Sequence, residues 1–142
     1  MTDPENMPDD LPADQIVQEL RVTFQEEAYE LLAELESALL ELEKNPDDKE
    51  QLGRAFRAMH TIKGSGGACE FHDIASFTHQ LETVFDRIRG GKARANGDII
   101  GLTLSAKDQI KAMFDRYYRE GPVDEARSGK ILAALHEFVP TG

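Results

Sequence analysis

Residues 16–44, IVQELRVTFQEEAYELLAELESALLELEK, decide what kind of fold this chain can make. Apolar side chains recur at Val17, Leu20, Phe24, Ala28, Leu31, Leu35, Ala38 and Leu42, and Leu32 and Leu39 widen the stripe. Every gap is three or four residues, the period of a helix with one buried face and one wet one. Nothing breaks the run until Pro46, which forces Asn45 out of the helical region. The spacing predicts one long amphipathic helix ending at Lys44.

Working outward, the same period returns four more times. A second helix is expected from about Asp47, capped by that carboxylate, with Leu52, Ala55, Phe56, Met59 and Ile62 on one face. The glycines at 64, 66 and 67 should fray or end it near residue 67. A third runs from about His72 to Arg89 with Ile74, Phe77, Leu81, Val84, Phe85 and Ile88, and stops at a Gly-Gly pair. Arg87 and Arg89 in its last turn suit the helix dipole. A fourth, from about Asp98 as its cap to Arg119, ends before Gly121-Pro122, and a fifth, from about Val123 to Phe138, carries Ile131, Leu132, Leu135 and Phe138. There is no strand signal and no internal repeat. Short connections favour antiparallel neighbours. The expected fold is all-α: an antiparallel up-down four-helix bundle with an additional C-terminal fifth helix. Residues 1–12 read as a flexible acidic tail, 13–139 as the helical domain and 140–142 as the start of a linker.

At 142 residues the chain has material for one core. The single cysteine, Cys69, excludes an internal disulfide framework and a cysteine-based zinc site. No segment is apolar enough to span a bilayer, and the acidic N-terminus is unlike a signal peptide, so a cytoplasmic location is expected. The net charge of −11 is uneven. Residues 1–50 hold 16 acids against 3 bases, whereas residues 51–94 hold 4 acids against 7 bases. An acidic total disfavours nucleic acid and anionic membranes. The one mildly basic stretch surrounds His60.

On a helical wheel centred on Met59, His60 falls about 100° away, at the shoulder between core and solvent. Gly64, one turn on, leaves the ring open to a partner, at a cost of about 1 kcal/mol of helix propensity for an interior glycine. Such a histidine can attack phosphorus with one ring nitrogen while the other hydrogen-bonds to an acceptor. It then needs a carboxylate behind it and a cation in front. In the third helix His79, Glu82 and Asp86 share a shoulder that an antiparallel neighbour can turn toward His60. Glu82 would accept from the ring, and Lys63 would offset phosphoryl charge. His72, His79 and Glu82 lack the carboxylates and Glu-x-x-His pairs of a bundle metal site, so no metal is expected.

The stretch FRAMHTIKGSGGACEF, followed by THQLE, resembles the histidine-containing phosphotransfer domain of CheA-type chemotaxis histidine kinases. That pattern is F-R-x-x-H-[ST]-I-K-G, a run of small residues ending in Phe, and H-x-x-E about nineteen residues after the phosphorylated histidine. Here His79 follows His60 by nineteen residues and Glu82 by twenty-two. The departure is local: Ala68, Cys69 and Glu70 stand where Thr-Phe-Gly is frequent, which bears on the geometry of the helix end. The resemblance implies that His60 is the phosphoacceptor, that Glu82 bonds its other nitrogen, that Lys63 and His79 tune reactivity and that Gly64 keeps the face accessible. Arg54, Arg57 and Phe56 are then expected to help dock partners. It implies two partners: a CheA-type kinase catalytic domain, and a response-regulator receiver of the CheY or CheB kind that takes the phosphoryl group onto an aspartate. Such a protein would work in the cytoplasm within receptor-associated signalling clusters. No nucleotide-binding glycine fingerprint is present, so this chain needs no cofactor of its own, ATP and Mg being used by the partner kinase domain. The competing reading is a non-phosphorylated helical adaptor that docks a partner through the same face.

Overall fold

A computed structural model describes residues 13–139, and the expected tail (1–12) and linker start (140–142) lie outside the described residues. Five helices follow in order: α1 Ala13–Lys44, α2 Lys49–Ala68, α3 His72–Arg89, α4 Gly97–Arg119 and α5 Glu125–Phe138. No strand occurs among the described residues. α1 packs on α2 and α4, α2 on α3, and α3 on α4, closing a four-helix ring against which α5 leans through α4 and α3. The apolar stripes meet inside this ring. Leu35, Leu39, Met59, Ile62, Leu81, Phe85 and Phe114 are all fully buried there.

Cross-links between the helices show that neighbours run antiparallel. Arg21, early in α1, donates to the carbonyls of Cys69 and Glu70 at the end of α2 (2.8 and 3.1 Å), while Glu34 receives Arg54. Along α1 and α4, the Tyr118 hydroxyl donates to the Arg21 carbonyl at 2.7 Å, the Tyr29 hydroxyl to Asp115 at 2.5 Å, and Lys107 lies 3.6 Å from Glu36. The Gln109 amide ties the start of α5 to α4, donating to the Asp124 carbonyl and the Ser128 hydroxyl.

The helix ends correct several expectations. Asp48, not Asp47, caps α2, accepting from the backbone N–H groups of Glu50 and Gln51, because an N-cap must sit just ahead of a helix that starts at Lys49. Asp47 pairs with Arg94 instead. Asn96, not Asp98, caps α4 by accepting from the Ile99 N–H at 2.9 Å, which leaves Asp98 in the first turn, where the dipole favours it. Val123 precedes α5 and packs on the core, since Asp124 is still extended. Two expected stripe residues lie outside the core: Leu20 of α1 is 43% exposed and Phe138 of α5 is 44% exposed. Around Leu20 the reason is geometric, because α2 turns back at Cys69 and Glu70, level with Arg21.

α2 ends within one residue of the expected position, but the glycines are inside it rather than beyond its end. It runs through Gly64, Gly66 and Gly67 to Ala68, and closes by a Schellman motif in which Phe71 N–H donates to the Gly66 carbonyl and Glu70 N–H to that of Gly67. The left-handed position falls on Glu70, with φ 58°. A side chain there costs about 1–2 kcal/mol of backbone strain. The Arg21 guanidinium offsets part of that cost by bonding the two carbonyls exposed at the turn. Glu70→Gly is therefore expected to raise stability by about 0.5–1 kcal/mol, measured by chemical denaturation, because the carbonyl Arg21 uses is retained.

Candidate functional site

Antiparallel packing of α2 on α3 sets the site midway along both. Gly66 lies against Ile74 near one end, where a Cβ would stand 3.8 Å from the isoleucine. Near the other, the Arg89 guanidinium sits 4.0 Å above the Phe56 ring. Between them, Glu82 reaches across to two residues of α2. One carboxylate oxygen lies 2.7 Å from His60 Nδ1, and the other accepts from Lys63 Nζ at 2.7 Å. The Glu82 side chain is 12% exposed, whereas the His60 side chain is 65% exposed.

Burial pushes the Glu82 carboxyl up, but the hydrogen bonds from Lys63 and His60 and their charges outweigh it and hold the group below its ordinary value. Glu82 is thus ionised at neutral pH and can only accept. His60 Nδ1 must donate to it. In the neutral ring the lone pair then resides on Nε2, the nitrogen away from the carboxylate. The imidazole plane is also set by Phe56, whose ring lies 6.4 Å away with an 11° interplanar angle.

The other expected residues take more varied places. Lys63 does not stand in front of the imidazole. It is bound behind it, because its chain length lets the ammonium meet the only buried carboxylate among the described residues. His79 is 64% exposed, with Nδ1 3.9 Å from Glu82, beside the pair and outside hydrogen-bonding range. Gly64 is exposed, and a Cβ there would meet nothing within 4 Å; the same holds for Gly67. Arg57 is exposed on the His60 face, but Arg54 turns to α1 and is held by Glu34 and Gln51. Phe56 is half-buried beneath Arg89. Arg89 itself was legible only as a helix-end cation, since a contact spanning two helices leaves no periodic trace. Asp86, expected on the shared shoulder, is exposed. Among the described residues no group of three or more His, Cys, Asp and Glu is placed to hold a metal ion.

The arrangement is one exposed nucleophilic nitrogen, oriented through its partner nitrogen by a buried carboxylate. The family model of the Hpt domain matches residues 19–119. The chain belongs to the Hpt family. A solved histidine phosphotransfer domain of CheA is 34% identical, with TM-score 0.74, and the alignment covers 84% of this chain and 91% of that one. Chemotaxis protein CheA of Treponema pallidum is 35% identical over 123 residues, 87% of this chain. This Hpt domain spans only 15% of that relative's length. The phosphorylated P1 domain of CheA3 from R. sphaeroides, solved in complex with CheY6, is 22% identical with TM-score 0.74 and shares the fold, covering 85% of this chain and 95% of that one.

The charge network has a testable pH signature. Glu82 has a folded-state value below the ordinary 4.5, so the stability it contributes is present above 4.5 and is lost as pH falls through the lower folded value. Glu82→Gln should cost about 1.5–3 kcal/mol at neutral pH through its two charged hydrogen bonds. In denaturation curves taken at successive pH values, the gap between wild type and variant should close below 4.5.

Proposed function

We propose that His60 Nε2 accepts a phosphoryl group from the ATP-binding catalytic domain of a CheA-type kinase and passes it to the aspartate of a CheY- or CheB-like receiver. The observation that carries this reading is the 2.7 Å contact between Nδ1 and the ionised Glu82, on a ring otherwise 65% exposed. In the forward step the Nε2 lone pair attacks the γ-phosphorus as the bond to the departing ADP oxygen breaks. The Nδ1 proton stays on the ring, and the positive charge the ring acquires faces the carboxylate. Lys63 keeps that carboxylate fixed and ionised, so orientation is settled before any partner arrives. Transfer to the receiver reverses the geometry with an aspartate oxygen as acceptor.

Three features support a carrier serving partners in trans. No residue beside His60 resembles a nucleotide-binding loop. Gly64 and Gly67 leave the approach bare. The fold neighbour CheA3 P1 is phosphorylated and held by CheY6. The CheA relationship favours the cytoplasm, within receptor-associated clusters, as the setting of the reaction.

Incubation with a CheA-type kinase domain and γ-labelled ATP should give acid-labile, base-stable label on wild type and none on His60→Gln. Label retained in His60→Gln would overturn the reading, as would a His60→Gln protein that still supports signalling, the outcome an adaptor requires. His79→Ala should keep most of the label, since its imidazole makes no hydrogen bond to the pair.

Gly64 separates access from chemistry. Because a Cβ there meets nothing, Gly64→Leu should fold and gain up to about 1 kcal/mol of helix propensity. Labelling by the kinase domain should fall by about tenfold or more, equivalent to about 1.4 kcal/mol of barrier, while reaction with a small phosphodonor changes far less.

A further inference from the structure

Lys63 is bound to Glu82, so the cations left to consider near His60 are others. Two share a groove with the imidazole. Arg57 and Arg89 line a depression of about 470 Å³ together with Gly53, Phe56, His60 and Thr61. Among the described residues neither guanidinium is paired with a carboxylate, whereas Arg54 is taken by Glu34 and Arg94 by Asp47.

Each arginine is steered toward this groove by a neighbour. A Cβ at residue 53 would stand 3.2 Å from Nη1 of Arg57, so Gly53 opens the lane in which that guanidinium lies. Arg89, the last residue of α3, rests 4.0 Å from the centroid of the Phe56 ring, which stacks in turn on the imidazole. A cation held over an aromatic face is restrained without being neutralised. It stays available to an anion. The other charged or titratable groups in the His60 cluster are Glu82, Lys63 and His79, and of these only Lys63 is a fixed cation, already engaged.

We propose that Arg57 and Arg89 bind the phosphoryl oxygens of phosphorylated His60, with the Phe56 ring carrying Arg89 into reach. The inference rests on reading His60 as the acceptor. The ligand chemistry is a tetrahedral phosphoryl dianion on Nε2, which planar guanidinium forks recognise through paired N–H donors. The gain is greatest after the N–P bond has formed, when the group is both charged and covalently placed in the groove. Restraining it there also shields it from protonation, the step that precedes acid cleavage of the N–P bond.

Phosphoramidate tests this on the whole chain without a kinase. His60 Nε2 forms the new N–P bond as the donor's P–N bond breaks, ammonia leaves with the electron pair, and the Nδ1 proton stays against Glu82. In ¹⁵N-labelled protein the Nε–H resonances of Arg57 and Arg89 should shift on phosphorylation, and should not in His60→Gln. The phosphohistidine lifetime at mildly acidic pH should shorten about threefold or more in Arg57→Gln and in Arg89→Gln, as expected when a charge-assisted contact is lost. Arg89→Lys, which keeps the charge but loses the planar fork, should restore only part of it. Phe56→Leu should shorten the lifetime in wild type and add little in Arg89→Gln. Unmoved arginine resonances with unchanged lifetimes would overturn the arginine assignment while leaving His60 as acceptor. Failure of wild type to form phosphohistidine at His60 would overturn both.

Discussion

An exposed imidazole is a disordered nucleophile unless something outside its own helix takes one of its nitrogens. Here that partner is Glu82, a carboxylate nearly buried between α2 and α3 and kept ionised by Lys63 and His60 against the cost of desolvation. Every larger feature serves this contact. The antiparallel register of the two helices brings residues twenty-two apart in sequence within 2.7 Å, and α1 and α4 close the ring that holds the register. A one-turn slip of α3 would carry the carboxylate about 5 Å away and leave it buried without partners. The site and the packing are therefore the same constraint seen at two scales.

The end of the bundle near Arg21 shows how the fold tolerates an imperfect local choice. Glu70 occupies a left-handed turn that suits glycine, but Arg21 bonds the carbonyls of Cys69 and Glu70 and stacks 4.5 Å from the Phe71 ring. Phe71 is fully buried against Phe114 and Tyr118. Tertiary contacts thus decide where α2 stops. Three nearby glycines, which local propensity would have chosen, remain inside the helix.

Most of the architecture was legible because amphipathic period is a direct record of burial. All five helices follow from it, as do the short connections that make neighbours antiparallel. Helix starts were less legible where two capping residues compete, Asp47 against Asp48 and Asn96 against Asp98, since only backbone geometry picks between them. His60 and Glu82 could be matched because the face of each helix is computable from sequence. Lys63 was assigned to the correct face but to the wrong side of the imidazole, because spacing places a Cα and a flexible four-carbon stem decides where the charge goes. Arg89 over Phe56 lies beyond such reasoning altogether, being a contact between a helix end and a ring thirty-three residues away in sequence.

The bare strip formed by Gly64 and Gly67 has a consequence for recognition. If His60 is the carrier proposed above, two differently shaped active sites visit this strip in turn, and a side chain fitted to one of them would obstruct the other. On the Gly64–Gly67 side the helix would then meet both with backbone alone and give up selectivity there. Discrimination between right and wrong visitors moves to the perimeter, where long, charged residues can change without disturbing the reacting nitrogen. Such a division lets the rate of transfer and the choice of recipient vary independently of one another.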